Sequence, residues 1–93
     1  MEMQVSQHAR ARMQQRAISY DLLETLLDFG EIKFNGNGTE IVTFPKRVIK
    51  KLKGALPHRD FVALEKHLKI YAVLSTDDRL VTVGHRTRHL KMH

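Results

Sequence analysis

The sequence contains no cysteine, which excludes disulfide bonds and thiolate metal sites and fits a reducing compartment. It also lacks any apolar run near the roughly 20 residues that a membrane-spanning helix needs. Its first ten residues do not have the basic-then-apolar order of a signal peptide. Low-complexity segments and internal repeats are missing too, and 93 residues suit one domain with a modest core. We therefore expect a single domain, residues 1–93, that is cytoplasmic and has no membrane association.

Positive charge is in excess and unevenly distributed along the chain. Sixteen Lys and Arg residues oppose ten Asp and Glu residues, which gives a formal net charge of +6. Residues 45–54 carry five basic side chains and no acid, and residues 79–93 carry four Lys or Arg, three His and no acid. Segregated positive charge is typical of proteins that bind a polyanion, usually a nucleic acid. The alternative is that the charge serves only solubility.

Apolar periodicity predicts an α+β fold. We expect two N-terminal helices packed on an antiparallel sheet of about four strands, with a short basic helix inserted between strand pairs. Ser6 and Ser19 are predicted N-caps, and the Asn-Gly-Asn-Gly run at 35–38 predicts a hairpin turn. The predicted elements are helices at 6–18 and 20–30, a hairpin at 31–45, helices at 45–54 and 58–67, and strands at 68–75 and 80–86.

The first helix carries a row of side chains that could do chemistry. His8, Arg12 and Arg16 recur at i, i+4 and i+8, so a helix stacks them along one edge. His8 follows the predicted N-cap, and the positive end of the helix dipole favours a neutral imidazole that can accept a proton. The same row could instead be a solvated basic face, or His8 could simply pack or cap.

The helix at 45–54 carries a second, denser set of basic residues. These side chains line one edge of the helix and can contact phosphates without reading bases: Lys46, Arg47, Lys50, Lys51 and Lys53. A solvated amphipathic face is the alternative. Arg88, in the basic ending of the chain, is a further predicted nucleic-acid contact.

Metal and cofactor chemistry has no support in the pattern. The chain has no HExxH motif and no carboxylate–histidine pair at ligand spacing. It has no Ser–His–Asp arrangement and no glycine-rich nucleotide loop. We therefore expect no metal and no cofactor, and only His, Arg and Lys remain for catalysis.

That residue set suits metal-independent cleavage of RNA. A base takes the proton of the 2′-hydroxyl, an acid protonates the leaving oxygen, and cations stabilise the charge on the phosphorane. His8 is the candidate base and His85 the candidate acid, with Arg12, Arg16 and Arg86 as stabilising cations. The scheme requires the first helix to cross the sheet near the end of the last strand.

The segment from Ser6 to Ile18 has the pattern S-x-H-A-x-x-R-M-x-x-R-x-I, which resembles the opening signature of an uncharacterised family of small bacterial domains. In that family the helix leads to an antiparallel sheet whose last strand is matched here by residues 80–83. The family is distantly similar to RelE-like and barnase-like ribonuclease toxins, which cleave RNA without metal. The resemblance implies that His8, Arg12 and Arg16 belong to the site, with Thr82 near it.

We therefore expect a small basic protein directed at nucleic acid, with metal-independent endoribonuclease activity of the toxin–antitoxin type. Two alternatives stay open: a non-catalytic RNA- or ribosome-binding module, and an interaction domain for an acidic protein. The expected partners are RNA, in free or ribosomal form, and an acidic antitoxin-like protein.

Overall fold

A computed structural model of the protein describes residues 4–86, so that Arg88 lies outside the described residues. The elements in chain order are β1 (Gln4–Val5), α1 (Gln7–Gln15), α2 (Tyr20–Phe29), β2 (Glu31–Phe34), β3 (Thr39–Thr43), α3 (Lys46–Ala55), α4 (His58–Glu65), β4 (Ile70–Ser75) and β5 (Arg79–His85). The α+β class is confirmed, as are the hairpin, the basic helix and the short helix after it.

The sheet has five strands in the order β1-β5-β4-β3-β2, and it is mixed. β2 to β5 form an antiparallel meander, whereas β1 pairs in parallel with β5. The predicted antiparallel sheet of about four strands is therefore wrong in detail. Two residues are too few to produce an alternating pattern, and Gln4 pairs with Arg79, far along the chain.

One face of the sheet carries the hydrophobic core. Val42, Ala72 and Val83 lie side by side in the register of β3, β4 and β5, and all three are fully or almost fully buried. Because side chains alternate along a strand, Ile41, Val73 and Thr82 point to the other face. All four helices of the described residues contribute buried side chains to the cluster on the first face. The other face, which we call the second face, carries no helix within residues 4–86.

Helix α1 is fastened to β5 at both of its ends. The Ser6 hydroxyl accepts a hydrogen bond from the Ala9 amide at 3.0 Å, as predicted for an N-cap, and donates one to the Val81 carbonyl at 3.1 Å. At the other end the helix closes with paired bonds characteristic of a Schellman motif, and Ala17 takes the left-handed conformation with φ of 54°. The helix therefore runs alongside β5 in the same direction as the strand.

The connection between α2 and β2 leaves no room for a side chain. A Cβ added at Gly30 would fall 2.3 Å from the Leu26 carbonyl oxygen and 2.8 Å from a methyl group of Val42. Glycine at this position lets the helix end directly against the sheet. As for membrane insertion, no helix among residues 4–86 combines the length and the apolar character of a bilayer span.

Candidate nucleic-acid interface

Basic side chains gather at one end of the sheet. β3 and β5 finish at this end and β4 begins there, because Thr43 is opposite Tyr71 and Ile70 is opposite His85. α1 also ends there, and only two residues separate β3 from α3. We call this region the basic end and define it by Arg16, Lys46, Arg47, Lys69, His85 and Arg86.

Two cations of the basic end face each other on adjacent strands. The Arg86 amide donates a hydrogen bond to the Lys69 carbonyl at 2.8 Å, which continues the β4–β5 register by one residue. By alternation, both side chains point towards the second face; Lys69 is exposed and Arg86 is half-buried. Like charges placed directly opposite one another destabilise a sheet. An anion bound between them would relieve that repulsion.

An aromatic ring lies next to this pair on the same face. Tyr71 follows Lys69 by two residues and is half-buried. A Cβ added at Gly84, its cross-strand partner, would fall 2.7 Å from the Tyr71 hydroxyl oxygen and 2.9 Å from two of its ring carbons. The ring therefore rests on the bare backbone of Gly84, and its exposed side can receive a planar group.

His85 lies on the helix side of the basic end and has a structural contact. Its Nε2 lies 2.6 Å from the Arg16 carbonyl oxygen. A carbonyl can only accept, so Nε2 carries the hydrogen and donates it. The bond satisfies one of the carbonyls left without a partner at the end of α1. His85 thus fastens the helix to β5, a role that the sequence analysis did not predict.

The predicted base and the predicted acid are not brought together. His8 is exposed in the first turn of α1, whereas His85 contacts Arg16 at the other end of the helix. Arg16, the C-cap of α1, follows His8 by eight positions, which is about 12 Å along the helix axis. A base and an acid acting on one phosphodiester must each lie within hydrogen-bond reach of it. α1 does run to the end of β5 as the cleavage scheme requires, but it carries His8 at the wrong end.

The other predicted site residues divide between the two faces. Arg12 is half-buried and Arg16 is exposed on α1, on the helix side of the sheet. Thr82 is opposite Val73 and points to the second face, as Arg86 does. Thr82 is therefore separated by the sheet from the His8, Arg12 and Arg16 row.

The basic residues of α3 all face solvent, but they are not equivalent. Arg47 forms an ion pair with Glu31, whose other carboxylate oxygen lies 3.8 Å from Lys33 Nζ. Arg47 is thus partly neutralised. The remaining side chains of the set are exposed and lie on the side of the helix away from buried Leu52: Lys46, Lys50, Lys51 and Lys53.

The opposite end of the sheet has the opposite charge. We call it the turn end and define it by the turns at residues 35–38 and 76–78. Beside it lies a cavity of about 440 Å³ whose lining includes Glu24, Asp28 and Asp78 over an apolar floor of leucines. Carboxylates disfavour a polyanion there. Nowhere in residues 4–86 do three His, Asp or Glu side chains cluster closely enough to hold a metal ion.

Lys69 and Tyr71 are site residues that sequence reasoning did not select. Their alternation with the buried Ile70 and Ala72 placed them on the outer face of the strand, but that pattern alone is typical of any half-exposed strand. What marks them is the register with Arg86 and Gly84, which only the fold supplies.

Comparison with protein-family models, with curated proteins and with solved structures finds no match to this chain.

Proposed function

We propose that the protein binds single-stranded RNA at the basic end of its sheet. The observation that carries this proposal is the placement of Lys69 opposite Arg86, with the Tyr71 ring beside them on the second face. Like charges at opposed strand positions disfavour pairing, and a phosphate bound between these two cations would replace that repulsion with attraction.

The ring specifies which form of nucleic acid fits. Tyr71 rests on Gly84 and offers one side to solvent, so a base can stack on it only when that base is unpaired. Single-stranded RNA supplies unpaired bases and a phosphate within reach of each of them. Arg16 and Lys46 extend the positive surface away from the ring along the same end of the sheet.

Binding, rather than cleavage, is the function that this arrangement favours. Cleavage by the pair His8 and His85 requires both imidazoles at one phosphodiester, and α1 separates them by most of its length. The same cations serve phosphate binding without any proton transfer. The proposal therefore takes the RNA-binding module as the function and treats cleavage as an outcome to be tested.

The experiment compares the only two tyrosines of the chain. Tyr71→Leu keeps an apolar side chain on Gly84 but removes the ring, and we expect affinity for a fluorescent single-stranded RNA to fall about 5- to 100-fold in anisotropy titrations. Tyr20→Leu is the matched control, because Tyr20 is 54% exposed on α2 outside the basic end, and it should leave affinity unchanged.

Salt, duplex RNA and a chelator complete the test. Wild-type affinity should fall steeply as salt rises, and a duplex of the same sequence should bind more weakly than the single strand. Equal effects of the two tyrosine substitutions, or no RNA binding together with tight binding of polyglutamate, would overturn the proposal. If wild-type protein cleaves RNA in the presence of a chelator and His8→Ala abolishes that cleavage, the result would support endoribonuclease activity instead of binding alone.

A further inference from the structure

Among residues 4–86, no strand pairs with the outer side of the edge strand β2. In that part of the chain β2 is the last strand in the sheet order and bonds only to β3. The Asn35 amide donates a hydrogen bond to the Thr39 carbonyl at 3.0 Å, and this bond shows which residues of β2 have their amide and carbonyl groups directed towards β3. Bonding residues alternate in an antiparallel pair, so Lys33 and Glu31 bond inward to β3. The amide and carbonyl groups of Ile32 and Phe34 therefore point outward, away from the sheet.

The same edge exposes large apolar side chains. Ile32 is 52% exposed and Phe34 is 81% exposed, and Phe29 at the end of α2 is 55% exposed. Natural edge strands are protected by short length, by charged side chains, by proline, by bulges or by a covering element. β2 has the first two protections, since it is four residues long and carries Lys33. β2 contains no proline, and its register with β3 is regular. A free hydrogen-bonding edge beside exposed apolar side chains is suited to pairing with another strand.

We propose that this edge binds β2 of a second copy of the chain, antiparallel and centred on Ile32. In that register the Ile32 amide of each copy donates to the Ile32 carbonyl of the other, and the Phe34 amide donates to the Gly30 carbonyl of the second copy. These bonds require the amide and carbonyl groups of Ile32 and Phe34 to point outward from the sheet, as they do in this structure. Two five-stranded sheets become one continuous sheet with two-fold symmetry.

Charge complementarity indicates that the partner bound at the outer edge of β2 is a second copy of the chain. Centring on Ile32 places Glu31 opposite Lys33 of the other copy, and by symmetry Lys33 opposite Glu31. Both pairs lie on the second face, and opposite charges across strands stabilise pairing. Glu31 bonds Arg47 through one carboxylate oxygen and keeps acceptor capacity on the other. The charges on β2 of one copy are thus complementary to the charges on β2 of the other copy.

The neighbouring register is disfavoured by the same residues. Centring the pair on Lys33 also matches the outward bonds of Ile32 and Phe34, but it puts the two Lys33 ammonium groups directly opposite one another. Like charges at that spacing destabilise the pairing. The sequence Glu-Ile-Lys-Phe at 31–34 therefore favours one register over the other.

Disulfide trapping tests the register, because the chain has no cysteine of its own. Opposed residues of a hydrogen-bonded antiparallel pair have Cα atoms about 5.5 Å apart, within the range that a disulfide spans. Ile32→Cys should form a covalent dimer on mild oxidation, measured on a non-reducing gel. Phe34→Cys is the matched control: its copies are offset by four residues of strand and should remain monomeric. A covalent dimer that forms only in a mixture of the Ile32→Cys and Phe34→Cys proteins would overturn the register, because these two positions are opposed when the pair is centred on Lys33.

Reversing the charge at residue 31 or 33 tests, without oxidation, whether a second copy of the chain binds this edge. In sedimentation equilibrium, Lys33→Glu and Glu31→Lys should each weaken self-association about tenfold, because each places like charges opposite. Mixed in equal amounts they should associate with one another, since every opposed pair is then complementary. Lys50→Glu on α3 is the control and should behave as wild type. Wild type that stays monomeric at every concentration, or a mixture that stays monomeric, would overturn the proposal.

Discussion

The two ends of the sheet are built from different chemistry. At the turn end, the Thr76 amide donates to the Gly38 carbonyl at 3.2 Å and so joins the two turns, while the Ser75 hydroxyl donates to Asp77 and accepts from the Arg79 amide. The basic end instead places cations beside one another, with Lys69 opposite Arg86. The turn end satisfies these polar groups within the protein, whereas at the basic end Arg47 is paired with Glu31 but Lys69 and Arg86 have no ion pair within residues 4–86.

This difference separates stability from binding in the molecule. Bonds at the turn end close the β4–β5 hairpin and hold α1 through Ser6. Like charges at opposed strand positions, as for Lys69 and Arg86 at the basic end, disfavour pairing, and a bound anion would compensate them. Substitutions at the turn end should therefore lower stability with little effect on RNA binding, whereas substitutions of the cations at the basic end should lower RNA affinity without destabilising the fold.

The largest expected effect comes from reversing one charge at the basic end. Arg86→Glu should weaken affinity for single-stranded RNA about tenfold or more and reduce its salt dependence, because a phosphate contact is lost and repulsion is added. The same change converts a like-charge pair with Lys69 into an attractive one, so the melting temperature should rise. Arg79→Glu, at the other end of the same strand, is the control and should leave RNA affinity unchanged. Anisotropy titration and thermal melting measure the two effects; loss of both affinity and stability in Arg86→Glu would show unfolding instead.

An intermediate effect is expected where α1 is fastened to the sheet. Ser6→Ala removes the cap on Ala9 and the bond to the Val81 carbonyl, and should lower the free energy of unfolding by about 1.5–2 kcal/mol. Ser19→Ala removes a cap on Leu22 alone, at 3.1 Å, and should cost about 1 kcal/mol. Urea denaturation compares the two variants. Equal losses of unfolding free energy in the two variants would mean that the bond to Val81 contributes nothing. A loss of RNA affinity in the folded Ser6→Ala protein would contradict the idea that the turn end serves stability and the basic end serves binding.

The smallest effect concerns Asp77 at the turn end. The hydrogen bond from the Ser75 hydroxyl lowers the pKa of the Asp77 carboxyl from its ordinary value. A lowered pKa in the folded state stabilises the protein above the unfolded pKa, and that contribution is lost as pH falls through the folded pKa. Ser75→Ala should raise the pKa of Asp77 towards its ordinary value in an NMR titration of the carboxyl carbon. An unchanged pKa would remove Ser75 as the cause, and RNA affinity should not respond.

Much of the fold could be read from local sequence. The caps at Ser6 and Ser19, the turn at 35–38 and the basic helix α3 depend on residues close in the chain, and each was predicted. β1 could not be predicted, because its two residues carry no periodicity and its partner is β5. The mixed sheet follows from that one long-range pairing.

The candidate site was harder to predict because it depends on register. The i, i+4, i+8 spacing predicts one row for His8, Arg12 and Arg16; the first two lie on α1 and Arg16 directly follows it as the C-cap, but spacing cannot tell which end of the helix meets the end of β5. The position of Lys69 against Arg86 depends on how two strands align across a turn. A slip of one residue would put the two side chains on opposite faces.

The parallel strand β1 also sets the order in which the chain can fold. Ser6 bonds to Leu80 and Val81, and Gln4 pairs with Arg79. α1 has nine residues, too few to be stable by itself in water, so it depends on β5 for its stability. Closing so long a loop costs entropy before the contact is made. On the ribosome, β5 is synthesised after α1, α2, α3 and α4, so α1 is fixed in place only after these later elements have been made.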